Sequence, residues 1–476
     1  MKKLLFTLFL LLGALVLDAK VKLPALVGDN MLLQQQTDAR LWGWAEPGAT
    51  VRVTPSWDGQ TVSCQADAQG RWLVSVKTPA ASYTPYDITI DDGEPLTLKG
   101  VLVGEVWLAS GQSNMQMPLK GFGGCCVKNG VDEVIRSADY PAIRFFTVST
   151  EQAYEPQEDC KGRWEVPSVH TSAEFSATAW FFATSLEKAL RVPVGIIVSA
   201  YGGSKVESWL SREILEGYPD VDLSREAIER CAPPYERPLL MYNAMIWPIR
   251  NYTFKGIIWY QGESNVGAHQ TYARRLATMV DLWRDNFGLG EIPFYFVEIA
   301  PYDYDSPVQD GKGAYLREAQ FKAQALIPNS AMVSTNDAVE TYERHNIHPR
   351  NKDVVGHRLS YLALNLTYGL KQINCFGPQY KSWQAKGNEA WVAFDNLQMG
   401  ICRNYDLRGF EVAGEDRVFY PADKVWLHWQ TNEMVISSEK VAHPVAVRYG
   451  FGDFMPGTMI GGNELPTIPF RTDDWE

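Results

Sequence analysis

The chain has 476 residues, a net charge of −12 at neutral pH, 46% hydrophobic residues and 12% aromatic residues. At roughly 150 residues per domain this length predicts about three domains, and so large an apolar fraction excludes a mainly disordered chain. The negative charge repels polyanions at long range, so we do not expect nucleic acid as a partner.

The amino terminus has the pattern of a secretory signal peptide. Lys2 and Lys3 precede an apolar run over residues 4–17, and Ala19 offers a cleavage point. The run is too short for a membrane span, and no other stretch reaches the length of a spanning helix. We therefore expect residues 1–19 to be a signal peptide and the mature protein to be exported, periplasmic or extracellular, with no membrane span.

Short alternating runs predict β structure at both ends of the chain. Between residues 20 and 100, apolar and polar residues alternate in runs that are separated by Pro-Gly and Asp-Gly turns, which predicts a small antiparallel β domain. The same pattern returns over residues 375–476 and predicts a C-terminal β region. We expect both regions to be β-sandwich-like.

Residues 101–374 alternate between continuous apolar runs and amphipathic segments. Continuous apolar runs indicate parallel strands that are buried on both faces. The predicted strands are residues 101–109, 193–199, 255–260, 293–299 and 331–335. Apolar spacings of three and four predict helices over residues 174–190, 270–287 and 315–326. The fold class is therefore α/β, with a central domain built on a doubly wound parallel sheet.

Polar residues follow the predicted strands at the point where each strand ends. In an open α/β sheet the ligand binds beyond the carboxyl ends of the strands, so we expect the functional residues there. The segments concerned are residues 111–115, 201–204, 261–265 and 335–337, followed by residues 347–349. Gln112, Asn114, Glu263 and Asn265 lie in these segments and are candidates to line a site.

Ser113 is the candidate nucleophile. It follows Gly111 on the turn after the first central strand, where its hydroxyl can lie at the sheet edge. A serine is a weak nucleophile unless a base accepts its proton. Met115 stands where the nucleophile elbow of the α/β-hydrolases has its second glycine, so the motif is a different one. A helix N-cap serine explains this motif equally well.

His348 is the candidate general base. His345, His348 and His357 all follow the last predicted strand, and Pro349 favours the start of a helix, which places His348 at the mouth of that helix. A histidine of ordinary pKa, about 6.5, predicts that activity falls as the pH drops through that value. Three close histidines are also compatible with a metal site. Their spacing matches no common zinc pattern, so we expect no metal.

Amide groups at the same edge are candidates to stabilise an oxyanion. Gly202, Gly203 and Gly262 have no side chain, so their N–H groups can approach a substrate closely, and Gln261 or Asn265 can supply a side-chain amide. Taken singly, the glycines are better explained by an ordinary strand-to-helix turn. Glu263, taken singly, is better explained by a buried ion pair with an arginine.

Four motifs stand in order along the central region: VWLASGQSNM at residues 106–115, GGSKVESW at 202–209, WYQGESN at 259–265 and IHPRNK at 347–352. They resemble the motifs of the sialate O-acetylesterases, which belong to the SGNH/GDSL superfamily of serine esterases. The flanking β regions of the bacterial members are similar to residues 23–34, 42–48 and 465–472. The resemblance therefore covers nearly the whole mature chain.

This resemblance implies hydrolysis of an acetyl ester on a sugar hydroxyl through an acetyl-serine intermediate, with no metal and no cofactor. It implies that Ser113 is the nucleophile and His348 the base. The oxyanion hole would be lined by the Ser113 N–H, by Gly203 and by a side-chain amide of the third motif, for which Gln261 is the candidate.

The group that orients His348 is where this chain departs from many relatives in the superfamily. Those relatives have an aspartate three residues before the histidine, and this chain has His345 there. Asp337 is the candidate third triad member, with Glu340 and Glu343 as alternatives. Otherwise a backbone carbonyl accepts the second ring N–H and the site is a Ser-His dyad, which we favour, because any acceptor can fix the tautomer.

The sequence thus predicts an exported serine esterase that removes O-acetyl groups from a sugar, with acetylated sialic acid as the first choice of substrate. One alternative is an acetylxylan esterase or another carbohydrate deacetylase. A second alternative, from a different class, is a noncatalytic carbohydrate-binding protein. Seven cysteines, an odd number, leave at least one thiol free.

Overall fold

The computed structural model of the protein describes residues 21–304, 311–403 and 406–475. The predicted signal peptide, residues 1–19, lies outside the described residues. Within them, no helix combines the length and the apolar character that crossing a membrane requires.

The N-terminal region is built from short strands with alternating burial. In Arg71–Lys77, for example, every second residue is buried, as expected for a sheet with one face on the core. The strands are β1 (Leu32–Gln34), β2 (Asp38–Trp44), β3 (Thr50–Pro55), β4 (Val62–Gln65), β5 (Arg71–Lys77), β6 (Ser82–Asp91) and β7 (Leu96–Gly111). β2 pairs with β5, and β3 pairs with β4 and β6, all antiparallel.

β7 connects these strands to the centre of the molecule. Its first half pairs with β6 and β1, and its second half, from Glu105 to Gly111, forms part of the central sheet. The strand therefore runs through the predicted boundary at residue 100, and the two regions share it. The domain boundaries as such remain a prediction.

The central sheet contains the predicted parallel strands. Its further strands are β8 (Ile143–Thr147), β9 (Trp164–Glu165), β10 (Val194–Ala200), β11 (Gly256–Tyr260), β12 (Phe294–Val297) and β13 (Ser330–Val333). Their order is β13-β12-β11-β7-β10-β8-β9. Neighbouring strands are parallel except at the β8–β9 edge. Polar residues after β7, β10, β11 and β13 therefore meet at one edge of the sheet.

Helices cover both faces of this sheet. They are α1 (Ser113–Gln116), α2 (Gly130–Arg136), α3 (Ala177–Leu190), α4 (Arg212–Leu215), α5 (Arg225–Arg230), α6 (His269–Phe287), α7 (Lys312–Ala323) and α8 (Lys352–Leu362). Along β7, Trp107 packs in one hydrophobic cluster with α3 and α8, and Leu108 packs in another with α6 and α7. The predicted α/β class with a doubly wound central sheet is confirmed.

The C-terminal region forms two antiparallel sheets. Its strands are β14 (Gln379–Lys386), β15 (Glu389–Asp395), β16 (Phe410–Ala413), β17 (Phe419–Pro421), β18 (Lys424–His428), β19 (Glu433–Ser437), β20 (Ala446–Tyr449) and β21 (Phe470–Arg471). In the described part of the chain, one sheet has the order β14-β15-β19-β18 and the other β17-β16-β20-β21. Val392 of the first and Val412 of the second belong to one buried cluster, so the sheets pack against each other.

Candidate active site

Ser113 lies at the carboxyl end of β7, in the middle of the sheet. The strand ends at Gly111, whose φ of +136° and close approach to the Tyr260 carbonyl both require glycine, because a Cβ there would lie 2.1 Å from that oxygen. Ser113 is the first residue of α1. The N–H at this position of a helix has no acceptor within the helix and points outward.

The structure brings His348 to Ser113. The Ser113 Oγ and His348 Nε2 atoms are 2.9 Å apart, although the two residues are 235 positions apart in the chain. A neutral imidazole with its lone pair on Nε2 can accept the serine proton at this distance. The α8 helix begins at Lys352, so His348 lies on the loop before it and not in its first turn.

The buried carboxylate of Glu343 binds the loop that carries His348. One oxygen of Glu343 accepts the Arg350 N–H at 2.9 Å, and the other accepts the Glu340 N–H at 2.9 Å. The Asn346 side chain accepts the His348 N–H at 3.1 Å. These bonds fix the backbone on both sides of the histidine.

Burial also sets the protonation state of His348. Loss of solvent, together with the positive charge of Lys352, lowers the pKa of its imidazole to about 4. The neutral form that accepts a proton is therefore present over a wider pH range than an ordinary pKa of about 6.5 gives. The sequence alone could not supply this shift, because it arises from the packed surroundings.

The structure does not bring Asp337 to the imidazole. The Asp337 carboxylate accepts two hydrogen bonds of 2.7 Å each from the guanidinium of Arg358 on α8. The carboxylates of Glu340 and Glu343 take part in the capping box of the turn at Thr341–Glu343. Among the described residues, no carboxylate and no backbone carbonyl is hydrogen-bonded to His348 Nδ1.

Among the described residues, the side chain that contacts His348 Nδ1 as a hydrogen-bond partner is a thiol. Cys125 Sγ lies 4.0 Å from Nδ1 and 3.4 Å from Asn346 Oδ1. All seven cysteines are free thiols in the structure. The sequence predicts at most a disulfide of Cys125 or Cys126 with Cys160, which is absent, and no catalytic role for Cys125, since it belongs to none of the motifs and lies far from His348 in the chain.

The N–H groups of Ser113 and Gly203 are the backbone candidates to donate to an oxyanion. Gly203 has a φ of +77°, and a Cβ there would lie 2.3 Å from the Tyr235 ring, so only glycine fits. Its N–H, like that of Ser113, meets no acceptor among the described residues. A Cβ added at the neighbouring Gly202 would lie 3.5 Å from Ser113 Cβ, and Gly202 donates its own N–H to Gln116 Oε1 at 2.8 Å.

Gln261 takes a supporting position instead of the expected one. Its side-chain nitrogen donates to the Ser204 carbonyl at 3.1 Å and to Asn265 Oδ1 at 2.7 Å, so both amide hydrogens are used. Asn265 in turn donates to Glu207 at 3.0 Å. These bonds hold the loop after β10 in place. The Gln261 amide, which was expected to line the oxyanion hole, binds this loop instead.

Gln112 and Asn114 flank the serine and fasten it to neighbouring loops. Gln112 Oε1 accepts the Gly262 N–H at 3.1 Å. Asn114 Nδ2 donates to Glu263 Oε1 at 2.5 Å and to the Ile347 carbonyl at 3.0 Å. Because Ile347 precedes His348, Asn114 ties the turn that holds the serine to the loop that holds the histidine.

Lys352 completes a buried polar network under the serine. Its ammonium nitrogen donates to Asn114 Oδ1 at 2.5 Å, and burial lowers its pKa to about 7. The hydrogen-bond partner of Glu263 is Asn114 and not the arginine that the isolated motif suggests. Burial raises the pKa of Glu263. Asn114 thus joins Lys352 to Glu263 through the two ends of its side-chain amide.

No metal-binding arrangement accompanies this geometry. Across the described ranges, no group of three or more His, Cys, Asp or Glu side chains is placed to hold an ion. His357, which is close to His348 in the sequence, lies on α8 and packs on the ring of Phe181 of α3. Metal independence remains a prediction.

Comparison with known proteins gives a consistent answer. A family described as carbohydrate esterase, sialic acid-specific acetylesterase, matches residues 103–365. The sialate O-acetylesterase of Pongo abelii is 30% identical over 460 residues, covering 89% of this chain and 86% of that protein. The human sialate O-acetylesterase is 30% identical over 419 residues, covering 81% of this chain and 79% of that protein.

A solved structure agrees with these relatives. A carbohydrate acetylesterase from Xanthomonas citri has 33% sequence identity and a TM-score of 0.85, over 96% of this chain and 100% of that chain. A likeness of this extent includes the N-terminal and C-terminal β structure as well as the central sheet. The chain belongs to the sialic acid-specific acetylesterase family of carbohydrate esterases.

Proposed function

We propose that this protein is a serine esterase that removes O-acetyl groups from a sugar. The observation that carries the proposal is the 2.9 Å contact between the Ser113 hydroxyl and His348 Nε2. Family membership and the likeness to a carbohydrate acetylesterase support it. In this proposal Ser113 is the nucleophile and His348 is the general base.

The reaction proceeds in two steps. Ser113 Oγ attacks the acetyl carbonyl carbon while its proton passes to His348 Nε2, and the N–H groups of Ser113 and Gly203 donate to the oxyanion that forms. Collapse of this intermediate breaks the bond to the sugar oxygen, which takes the proton from His348, and leaves acetyl-Ser113. Water then gives a proton to His348 and attacks the acetyl group. As the bond to Ser113 Oγ breaks, His348 returns that proton to the serine oxygen, and acetic acid leaves and ionises to acetate.

Acetylated sialic acid is the substrate that we propose first. Two proteins that match most of this chain are sialate O-acetylesterases. The family that matches the central region is described as sialic acid-specific. The substrate of this chain is inferred from these relatives, since the site described above acts on the acetyl group and not on the sugar.

A cavity lined by the loops after β10 and β11 favours a second candidate, a neutral acetylated sugar such as that of acetylxylan. The cavity has a volume of about 510 Å³ and is lined by Ser264, which donates to the Gly203 carbonyl at 2.8 Å. Its size is within the range of small-molecule sites, roughly 300–1,000 Å³. The Ser264 hydroxyl thus links the lining of this cavity to the loop that carries Gly203.

The charge of this cavity is negative. Its described lining residues include the acidic residues Glu207, Asp220, Asp222 and Glu236 and the basic residues Lys205 and Arg275. Both basic residues are already paired: Lys205 lies 2.6 Å from Glu236, and Arg275 binds Glu207 and Asp220. A sialic acid carboxylate finds no unpaired cation here, whereas neutral sugar hydroxyls can donate to the carboxylates.

The discriminating experiment measures acetate release from three substrates: O-acetylated sialic acid, acetylated xylo-oligosaccharides and p-nitrophenyl acetate. Preference for the first supports the sialate substrate, and preference for the second supports the neutral sugar. Ser113→Ala should lower turnover of each by roughly a millionfold. Ser382→Ala, at an exposed serine of β14, is the matched control and should leave turnover unchanged.

The noncatalytic alternative makes the opposite prediction. A carbohydrate-binding protein would release no acetate from any of the three substrates while still binding glycans. Mass spectrometry after treatment with a fluorophosphonate adds an independent result, because the adduct should be on Ser113. A wild-type protein without turnover, or a label on another residue, would refute the proposed function.

We also propose that residues 1–19 direct export. The support is the order of two lysines, an apolar run and Ala19. Amino-terminal sequencing of the protein recovered from the periplasm or the medium should begin near residue 20. Recovery of the chain only in the cytoplasm, with Met1 retained, would contradict export.

A further inference from the structure

We propose that Cys125 is the positioning residue that orients His348, in the place where related triads have a carboxylate. The proposal rests on the function proposed above, since it assigns the group behind the general base. Cys125 does not touch Ser113 in this arrangement. It acts on the reaction only through the imidazole.

The hydrogen bonds around His348 determine how such a thiol would work. Nε2 must keep its lone pair to accept the Ser113 proton, so the ring hydrogen of the neutral imidazole is on Nδ1. Cys125 Sγ, 4.0 Å from Nδ1, is a weak acceptor for that hydrogen. The thiol hydrogen is then donated to Asn346 Oδ1, 3.4 Å away.

Asn346 closes this arrangement on the histidine itself. Its Oδ1 atom also accepts the His348 backbone N–H at 3.1 Å. One side-chain oxygen therefore holds both the thiol and the backbone of the residue that the thiol orients. The Asn346 N–H is in turn fixed by the Glu343 carbonyl at 2.7 Å.

A tight turn holds Cys125 in position. Phe122 and Cys125 exchange two backbone hydrogen bonds of 2.9 and 3.0 Å across Gly123 and Gly124. The Phe122 ring meets the His348 ring edge to face, with 5.3 Å between the ring centroids. Farther along this segment, the Lys128 N–H donates to the Arg350 carbonyl at 2.9 Å, so the turn is attached to the histidine loop at two places.

None of the charged side chains near the imidazole is hydrogen-bonded to Nδ1 in the described structure, so a neutral group can orient the ring. Lys352 is the positive group whose charge opposes protonation of His348. The carboxylate of Glu263 is held by Asn114, and that of Glu343 is held by backbone N–H groups. In the described structure, none of these carboxylates is hydrogen-bonded to Nδ1, so the thiol is the side chain that can fix the ring tautomer.

The first test removes the thiol. In Cys125→Ala, kcat for p-nitrophenyl acetate should fall about tenfold to a hundredfold, by analogy with the loss of the hydrogen-bond partner of a metal-binding histidine. KM should change little, because the proposed role of Cys125 acts through the imidazole and not on the substrate. Cys126→Ala is the matched control: this neighbouring thiol is exposed and should be dispensable. A Cys125→Ala variant with the kcat of the control would refute the proposal.

The second test replaces the thiol with a carboxylate and has a readout that a structural role would not move. In Cys125→Asp, a negative charge next to Nδ1 favours the imidazolium, so the acid limb of the pH profile should rise by about one pH unit or more. Turnover at neutral pH should exceed that of Cys125→Ala. An acid limb that stays at the wild-type pH would show that position 125 does not contact Nδ1 and would overturn the proposal.

These outcomes remain separate from the fate of the proposed function. If wild-type protein releases no acetate, the esterase proposal fails before Cys125 is tested. If wild type is active, Ser113→Ala is inactive and both Cys125 variants behave like wild type, the esterase proposal holds and the role of Cys125 is refuted. A reduced unfolding temperature of Cys125→Ala without a change in kcat counts in the same way against that role.

Discussion

Burial of the His348 ring determines the pH range over which Ser113 can transfer its proton. Its pKa is lowered to about 4 by burial and by the charge of Lys352, and a general base must be neutral to act. We expect kcat/KM for p-nitrophenyl acetate to stay level as the pH falls from about 7 to about 5 and to decrease as it drops through about 4. With a base of ordinary pKa, kcat/KM would instead decrease at about pH 6.5.

Stability must be followed in the same experiment, because the lowered pKa also opposes folding in acid. An unfolded histidine has the higher pKa, about 6.5, so below that pH the unfolded state binds more protons. The contribution of neutral His348 to stability is therefore complete above about pH 6.5 and is lost as the pH falls towards about 4. Circular dichroism at each pH separates unfolding from protonation. An acid limb near 6.5 in a folded protein would contradict the lowered pKa of His348.

The sequence predicts Ser113 and His348 because a general rule brings them together: polar residues after parallel strands share one edge of the sheet. No such rule reaches Cys125, whose contact with His348 joins residues 223 positions apart. Gln261 shows a different limit. The sequence shows an amide that could donate to an oxyanion. It does not show that in the fold both amide hydrogens are bound by Ser204 and Asn265.

At the scale of elements, the loop after β13 is joined to α8 by an ion pair. Asp337 and Arg358 form two hydrogen bonds of 2.7 Å, and both side chains are largely buried. Asp337→Asn removes the carboxylate and leaves the guanidinium without its charged partner, so we expect a loss of about 2 kcal/mol of stability. Turnover of p-nitrophenyl acetate should remain within about tenfold of wild type, or about 1.4 kcal/mol of barrier.

Thermal unfolding and steady-state kinetics of the same preparation check this prediction. Glu340→Gln serves as the comparison, because Glu340 is exposed and lies on the same loop. It should affect the unfolding temperature less than Asp337→Asn does. A thousandfold loss of turnover in Asp337→Asn, with the fold intact, would instead identify Asp337 as the third member of a triad.

Most elements of the central region are predictable, and the exceptions have a physical cause. The predicted helix over residues 270–287 is found as α6, His269–Phe287, because its apolar spacing is regular. β7 is longer than the predicted strand, since its first residues pair with the N-terminal sheet as well. β8 was not predicted: it is short, and it becomes a strand by pairing with β10.

On the scale of the whole molecule, the C-terminal sheets are attached to the central region through α7. The Gly313 N–H at the start of this helix donates to Asp453 at 2.7 Å. Arg317, which is fully buried, donates to the carbonyl of Gly452. Glu318 binds Arg471 of β21. Composition and periodicity predict each β region by itself, but these contacts between distant segments exist only in the assembled fold.

Arg471 is the residue through which this attachment can be tested. Its guanidinium makes two 3.0 Å hydrogen bonds to Glu318 and lies over the Tyr315 ring, 4.9 Å from the centroid. Arg471→Met keeps an apolar side chain of similar length but leaves Glu318 with Lys322 as its remaining partner. We expect it to lower stability by about 2 kcal/mol, because breaking a largely buried pair leaves a poorly compensated charge.

The control for Arg471→Met is Arg408→Met, which removes an arginine of the same region whose pair with Asp406 is exposed on both sides. Exposed pairs contribute little, so the control should change stability by less than about 1 kcal/mol. Neither residue is near Ser113, so kcat for p-nitrophenyl acetate should be unchanged in both variants at a temperature where both are folded. Equal unfolding temperatures for the two variants would show that the contact of β21 with α7 does not stabilise the protein. A loss of kcat confined to Arg471→Met would show instead that the C-terminal sheets influence the site through α7.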